Sequence, residues 1–125
     1  MKVLDASALL AFLQGETGSE LVADALRGSC MSAANAAECG AKLVERNLPP
    51  APLLDQLRLH GVEVVPVTAA DALRAAEIHV MTRARGLSLG DRLCLALASR
   101  RGLSVLTADR VWAEVDVDVD VVLIR

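Results

Sequence analysis

Short β-prone runs at residues 2–5, 30–32, 62–67, 103–106 and 121–124 alternate with segments of helical periodicity, and this alternation constrains the chain more than any other feature. Helices are expected over 7–13, 19–27, 33–46, 53–60, 69–85 and 90–101, with Gly86 as the C-cap of the fifth and a short helical segment around Trp112. Strands joined through helices pair in parallel, and right-handed crossovers place those helices on both faces of the sheet. The expected class is therefore α/β: one α/β/α domain over residues 1–125 with a mainly parallel central sheet.

Composition narrows the reading. Hydrophobic residues make up 54% of the chain but aromatics only 2%, Phe12 and Trp112, so the core must be built from Leu, Val, Ala and Ile. Cys30, Cys39 and Cys94 are odd in number and form no C-x-x-C pair, which argues against a disulfide framework and a structural zinc site, and for a reducing, cytoplasmic compartment. The apolar stretch after Met1 is interrupted by Asp5, Ser7 and Gln14, too soon for a signal sequence or a membrane span, so a soluble, unprocessed protein is expected. With a net charge of −3, the global field does not attract a polyanion, and any nucleic-acid binding must come from local arginines and bound cations.

In open sheets of this kind, ligands bind beyond the carboxyl ends of the strands, at the point where strand order reverses. Asp5 ends the first strand, Asp109 follows the fourth, and Asp91 opens the helix just before the fourth. Glu38 lies on the helix 33–46, with Asn35 one turn earlier on the same face and with small neighbours Ala34, Ala37 and Ala41 that permit close approach. Each acid also has a local explanation. Asp5 or Ser7 caps the first helix, Ser88 and Asp91 form a capping box, Asp109 caps the turn after it, and Glu38 forms an (i, i+4) pair with Lys42. Caps, however, have no need to converge on one edge. Crowded carboxylates repel unless a cation lies among them, and an all-oxygen set suits Mg²⁺ or Mn²⁺, which neutralise phosphate and activate water.

Four stretches carry a family resemblance: Val3-Leu4-Asp5-Ala6-Ser7-Ala8-Leu9-Leu10-Ala11; Asn35-Ala36-Ala37-Glu38; Leu87-Ser88-Leu89-Gly90-Asp91-Arg92-Leu93-Cys94-Leu95-Ala96; and Val105-Leu106-Thr107-Ala108-Asp109-Arg110-Val111-Trp112. In this order they resemble the signature blocks of PIN-domain ribonucleases of the VapC toxin type, over essentially the whole chain. The resemblance implies a PIN-like fold in which Asp5, Glu38, Asp91 and Asp109 hold Mg²⁺ or Mn²⁺ for endoribonuclease activity. Ser7 and Thr107, with Asn35 beside Glu38, would support those acids by hydrogen bonding. It further implies an RNA substrate, a VapB-type antitoxin partner and a homodimer. The run Glu38-Cys39-Gly40-Ala41 is less bulky than is usual after this glutamate, and the period-two run Val115 to Val121 is unusual for the family.

Arg92 and Arg110 follow the aspartates directly and are candidates for phosphate contact, with surface arginines at helix starts as the plain alternative. Arg83, Arg85, Arg100 and Arg101 make a weaker basic rim, since arginines near helix C-termini also favour the dipole. The three cysteines read as small core residues, and His60 and His79 lie outside the four blocks, so no histidine base is indicated. The Val-Asp alternation reads as a solvated edge strand. A haloacid-dehalogenase-like phosphatase needs a second Asp where Ser7 stands, and a receiver domain needs an acidic pair and a late lysine that are missing. A PIN nuclease outside a toxin–antitoxin pair, or a silent scaffold that binds antitoxin or nucleic acid, remains the alternative.

Overall fold

The computed structural model describes residues 1–125. In chain order the elements are β1 (Lys2–Leu4), α1 (Ala6–Leu13), α2 (Ser19–Ala25), β2 (Cys30–Ser32), α3 (Ala33–Glu45), α4 (Pro52–Leu59), β3 (Glu63–Val65), α5 (Ala69–Thr82), α6 (Leu89–Arg101), β4 (Ser104–Thr107) and β5 (Val121–Leu123). Two 3-10 turns, Arg83–Arg85 and Arg110–Glu114, complete the set. The five strands are all parallel and lie in the order β3-β2-β1-β4-β5. From β1 the sheet grows outward one way through β2 and β3 and the other way through β4 and β5. The switch point therefore falls between β1 and β4, where Leu4 stands opposite Leu106.

Neighbouring strand residues feed two separate cores because side chains alternate between faces. Leu4, Met31 and Leu106 join the cluster under α1 to α4, and Val3, Cys30 and Val105 join the cluster under α5 and α6. The result is an α/β/α sandwich without a tyrosine and with one fully buried aromatic, Trp112. Trp112 anchors the second cluster although its Nε1–H is buried without an acceptor. Helix α6 is enclosed through its middle, with every residue from Leu93 to Ala98 buried. That accounts for a sequence that is apolar on all sides there.

Two expectations are corrected. The fifth helix does not run to Arg85: α5 ends at Thr82, whose Oγ1 donates to the Ile78 carbonyl at 2.8 Å, and residues 83–85 tighten into a 3-10 turn before Gly86 (φ 70°). The Val-Asp run is not an edge strand over its length, since only Val121–Leu123 pair with β4. Residues 115–120 are irregular, with a turn closed by the Val119 N–H on the Val117 carbonyl at 2.8 Å. The alternation persists without the ladder: Val115, Val117 and Val119 pack partly buried on the Trp112 cluster, while Asp116, Asp118 and Asp120 are exposed. Apolar burial alone maintains a period of two here.

Candidate active site

Asp5 follows β1 with extended backbone (φ −74°, ψ 155°), and its N–H donates to the Leu106 carbonyl at 3.0 Å, the last bond between β1 and β4. Its side chain does not cap α1. Asp5 Oδ2 instead accepts from Ser7 Oγ at 2.6 Å and Thr107 Oγ1 at 2.8 Å. Ser7 Oγ in turn accepts from the Ala108 N–H at 2.9 Å, and Thr107 Oγ1 from the Asp109 N–H at 3.0 Å. Two hydroxyls thus tie the buried carboxylate to the turn that delivers Asp109. Burial pushes the Asp5 carboxyl up to about 6, against the lowering pull of the two hydroxyls, and the charge of Asp91 pushes the same way.

Asp91 belongs to the expected capping box: its N–H donates to Ser88 Oγ at 3.1 Å and its Oδ2 accepts the Ser88 N–H at 2.9 Å. Desolvation raises its pKa, Ser88 opposes this, and Asp109 raises it further. Asp109 is exposed and caps the 3-10 turn, accepting the Val111 N–H at 3.1 Å. The capping explanations of these two acids are therefore correct, and they coexist with proximity, since the charge of Asp109 acts on Asp91. The local explanation of Glu38 is not correct, since Lys42 pairs with Glu45 at 3.5 Å. Glu38 Oε1 accepts from Asn35 Nδ2 at 2.8 Å, and Asn35 Nδ2 also reaches the Gly90 carbonyl at 3.2 Å.

Asp5, Glu38 and Asp91 all act electrostatically on the buried Cys94 thiol, which lies one turn after Asp91 in α6. None of the four acids takes part in an ion pair. No three His, Cys, Asp or Glu side chains are placed to share one ion as they stand. The donor set nevertheless suits a hard divalent cation: all oxygen, uncompensated by any ion-pairing Lys or Arg, and with two pKa values raised by burial and mutual repulsion. The larger concavities lie elsewhere. One of ≈ 630 Å³ runs between α3, α4 and β3 and is lined by Ala37, Val44, Leu53 and Leu54 among others. Exposure across the acids is graded: Asp5 is buried, Glu38 and Asp91 are half-buried and Asp109 is exposed.

The arginines divide. Arg92 is not a free phosphate fork: its Nη1 donates to the Ala75 carbonyl at 3.0 Å and its Nε is buried without a partner, so it ties α6 to α5, while its charge still acts to lower the Asp91 pKa. Arg110 is exposed beside Asp109. Arg100 grips Asp71 through two bonds of 2.8 and 3.1 Å, and Arg101 grips Glu63 at 2.9 and 3.2 Å. Both stand at the far end of α6, about 14 Å along the helix from Asp91. Of the other two arginines of the weaker rim, Arg83 and Arg85 lie in the 3-10 turn after α5, and Arg85 stands 4.0 Å from Glu114. Sequence reading passed over Gly90, whose missing Cβ leaves room for the Glu38 carboxylate; its signal was a glycine within a helix, where propensity disfavours it.

A parallel sheet with carboxylates gathered at its switch point defines an α/β domain built around an acidic edge. The family model for the PIN domain matches residues 2–118, and the chain belongs to that family. Among curated proteins none matches by sequence. Solved structures are similar over nearly the full length. A toxin–antitoxin complex from Klebsiella pneumoniae aligns with TM-score 0.79 at 16% identity, covering 100% of this chain and 98% of that one. FitAcB from Neisseria gonorrhoeae aligns with TM-score 0.73 at 23% identity over 99% and 98%. VapC20 of Mycobacterium tuberculosis, described as a sarcin-ricin-loop-cleaving toxin, aligns with TM-score 0.73 at 22% identity over 96% and 99%. At these identities the likeness is one of fold.

Proposed function

We propose that this PIN domain is a Mg²⁺- or Mn²⁺-dependent endoribonuclease and the toxin component of a VapBC-type pair. The observation that carries the reading is the set of four acids without ion-pair partners at the switch point, one of them buried and pushed up to about 6. Asp5, Glu38, Asp91 and Asp109 would hold the ion, and when bound it supplies charge neutralisation for phosphate and activates water. The chain's own groups do the rest. Ser7 and Thr107 hold Asp5 in one orientation, the Ser88 cap holds Asp91, and the exposed Arg110 is free to meet a phosphate. With no histidine near these acids, attack on phosphorus does not call on the ribose 2′-hydroxyl. Cleavage is then expected to leave a 5′-phosphate and a 3′-hydroxyl, to stop with EDTA, and to persist in part at a 2′-deoxy scissile nucleotide. A 2′,3′-cyclic phosphate formed in EDTA by pure protein would overturn the reading.

The toxin assignment rests on the solved complexes. The Klebsiella pneumoniae structure is a toxin–antitoxin complex, and VapBC2 from Rickettsia felis is bound to a DNA fragment from its promoter. By analogy the partner is a VapB-type antitoxin whose tail brings a basic side chain to the acidic edge, and the toxin is a homodimer. No helix is long and apolar enough to cross a membrane, in keeping with a cytoplasmic site of action. A non-cleaving scaffold is favoured by one observation, that no three acids share one ion's position as they stand. The cleavage assay separates the two.

A further inference from the structure

We infer that Asn35 and Gly90 are positioning residues that together seat Glu38 against the first turn of α6, an inference that rests on the metal-dependent reading above. Glu38 is the one acid of the four that neither caps a helix nor follows a strand, so its placement requires another device. Two contacts supply it. Asn35 is fully buried (0% exposed), and its Nδ2 donates to Glu38 Oε1 at 2.8 Å and to the Gly90 carbonyl at 3.2 Å. One amide therefore bolts the acid of α3 to the turn of α6 whose next residue is Asp91. Asn35 Oδ1 is buried with no partner, so the donor side alone engages this amide within the fold.

The second wall of the seat is missing matter. A Cβ at position 90 would stand 2.5 Å from Glu38 Oε1, 2.7 Å from its Cδ and 2.9 Å from Oε2. Glycine is what allows the carboxylate to lie against that backbone. Asn35 pulls the carboxylate in, Gly90 makes room for it, and Oε2 is left without a hydrogen bond in the chain. A ligand held by one oxygen and open at the other loses less rotamer freedom when an ion binds, which is how supporting groups raise metal affinity.

The test is Mn²⁺ titration of the full chain, followed by the electron paramagnetic resonance signal of free Mn²⁺, with thermal melts in EDTA alongside. Asn35→Ala and Gly90→Ala are each expected to weaken Mn²⁺ binding by roughly tenfold while melting cooperatively. In a Glu38→Gln background neither change is expected to weaken binding further, because the group through which both act is gone. Gly90→Ala leaves Asn35 in place, so it carries the test if Asn35→Ala does not fold. Wild-type affinity in Gly90→Ala, a changed melt with unchanged affinity in Asn35→Ala, or equal losses in the Glu38→Gln background would each remove the inference. If the unmodified protein binds no Mn²⁺, the metal-centre reading falls and takes this inference with it. If it binds Mn²⁺ and both variants bind it equally well, the inference falls alone.

Discussion

Asp5 shows how a local environment changes the proton affinity of an ordinary residue. The residue is 3% exposed, and its carboxyl is pushed up to about 6 chiefly by burial. The folded pKa lies above the unfolded value of 3.8, so the folded state holds the proton longer and stability falls as pH rises from about 4 to about 6. Above that window the metal-free protein carries the full penalty, at most about 3 kcal/mol. Asp5→Asn is therefore expected to abolish cleavage yet raise the melting temperature in EDTA at pH 8 by several degrees, and to flatten the fall in stability between pH 4 and 6. Melts of the two proteins across pH check this. A variant that melts lower at pH 8 would show that the ionised carboxylate is better solvated than its burial implies. Ser7 and Thr107 were legible as supports for Asp5 from the family blocks, and hydrogen bonds of 2.6 and 2.8 Å place them there. Gly90 was not legible, because a glycine's use is the space it leaves and that space is defined by Glu38 from another helix.

At the scale of elements, the contact between α5 and α6 is locked from both ends. Arg92 near the start of α6 bonds the Ala75 carbonyl, and Arg100 near its end grips Asp71 in the first turn of α5. Asp71 also closes a capping box with Thr68. The Arg100 guanidinium, first, and the Thr68 cap hold the Asp71 carboxyl below its ordinary value. A lowered folded pKa contributes stability that is present above pH 3.8 and is lost as pH falls below it. Asp71→Ala is expected to cost about 2 kcal/mol, because it removes the charged hydrogen-bond partner of Arg100 together with the N3 half of the capping box, with the cost shrinking toward pH 3. Urea unfolding of both proteins at pH 7 and pH 3 checks it, and an equal cost at the two pH values would mean that packing, not charge, makes the contact. Helix α6 thus does two jobs with its two ends: the far end holds the layers together and the near end presents Asp91.

For the whole molecule, the proposed ion binding predicts a linkage between binding and stability. An ion that binds the folded chain alone stabilises it by about 2.7 kcal/mol at one hundred times its dissociation constant. For a domain of 125 residues that corresponds to a rise of about 10 °C in melting temperature. Mn²⁺ is expected to produce such a rise in the unmodified protein and little or none in Asp91→Asn, with NaCl at matched ionic strength as the control. An equal rise in both would place the ion away from the carboxylates.

The order of strands and helices and their parallel sense were written in the sequence, because hydrophobic period and strand-to-helix junctions are local properties that short windows reveal. Strand order was not, since which strands pair depends on packing between segments up to a hundred residues apart, as when Leu4 meets Leu106. The irregular path of residues 115–120 was also hidden: the Val-Asp period reports which side is buried and is silent on whether a neighbouring strand is there to pair. The roles of the arginines depended on tertiary structure for the same reason. Arg92, Arg100 and Arg110 are alike in sequence, and only the fold decides which meets a buried carbonyl, which meets a capping aspartate and which is left facing solvent.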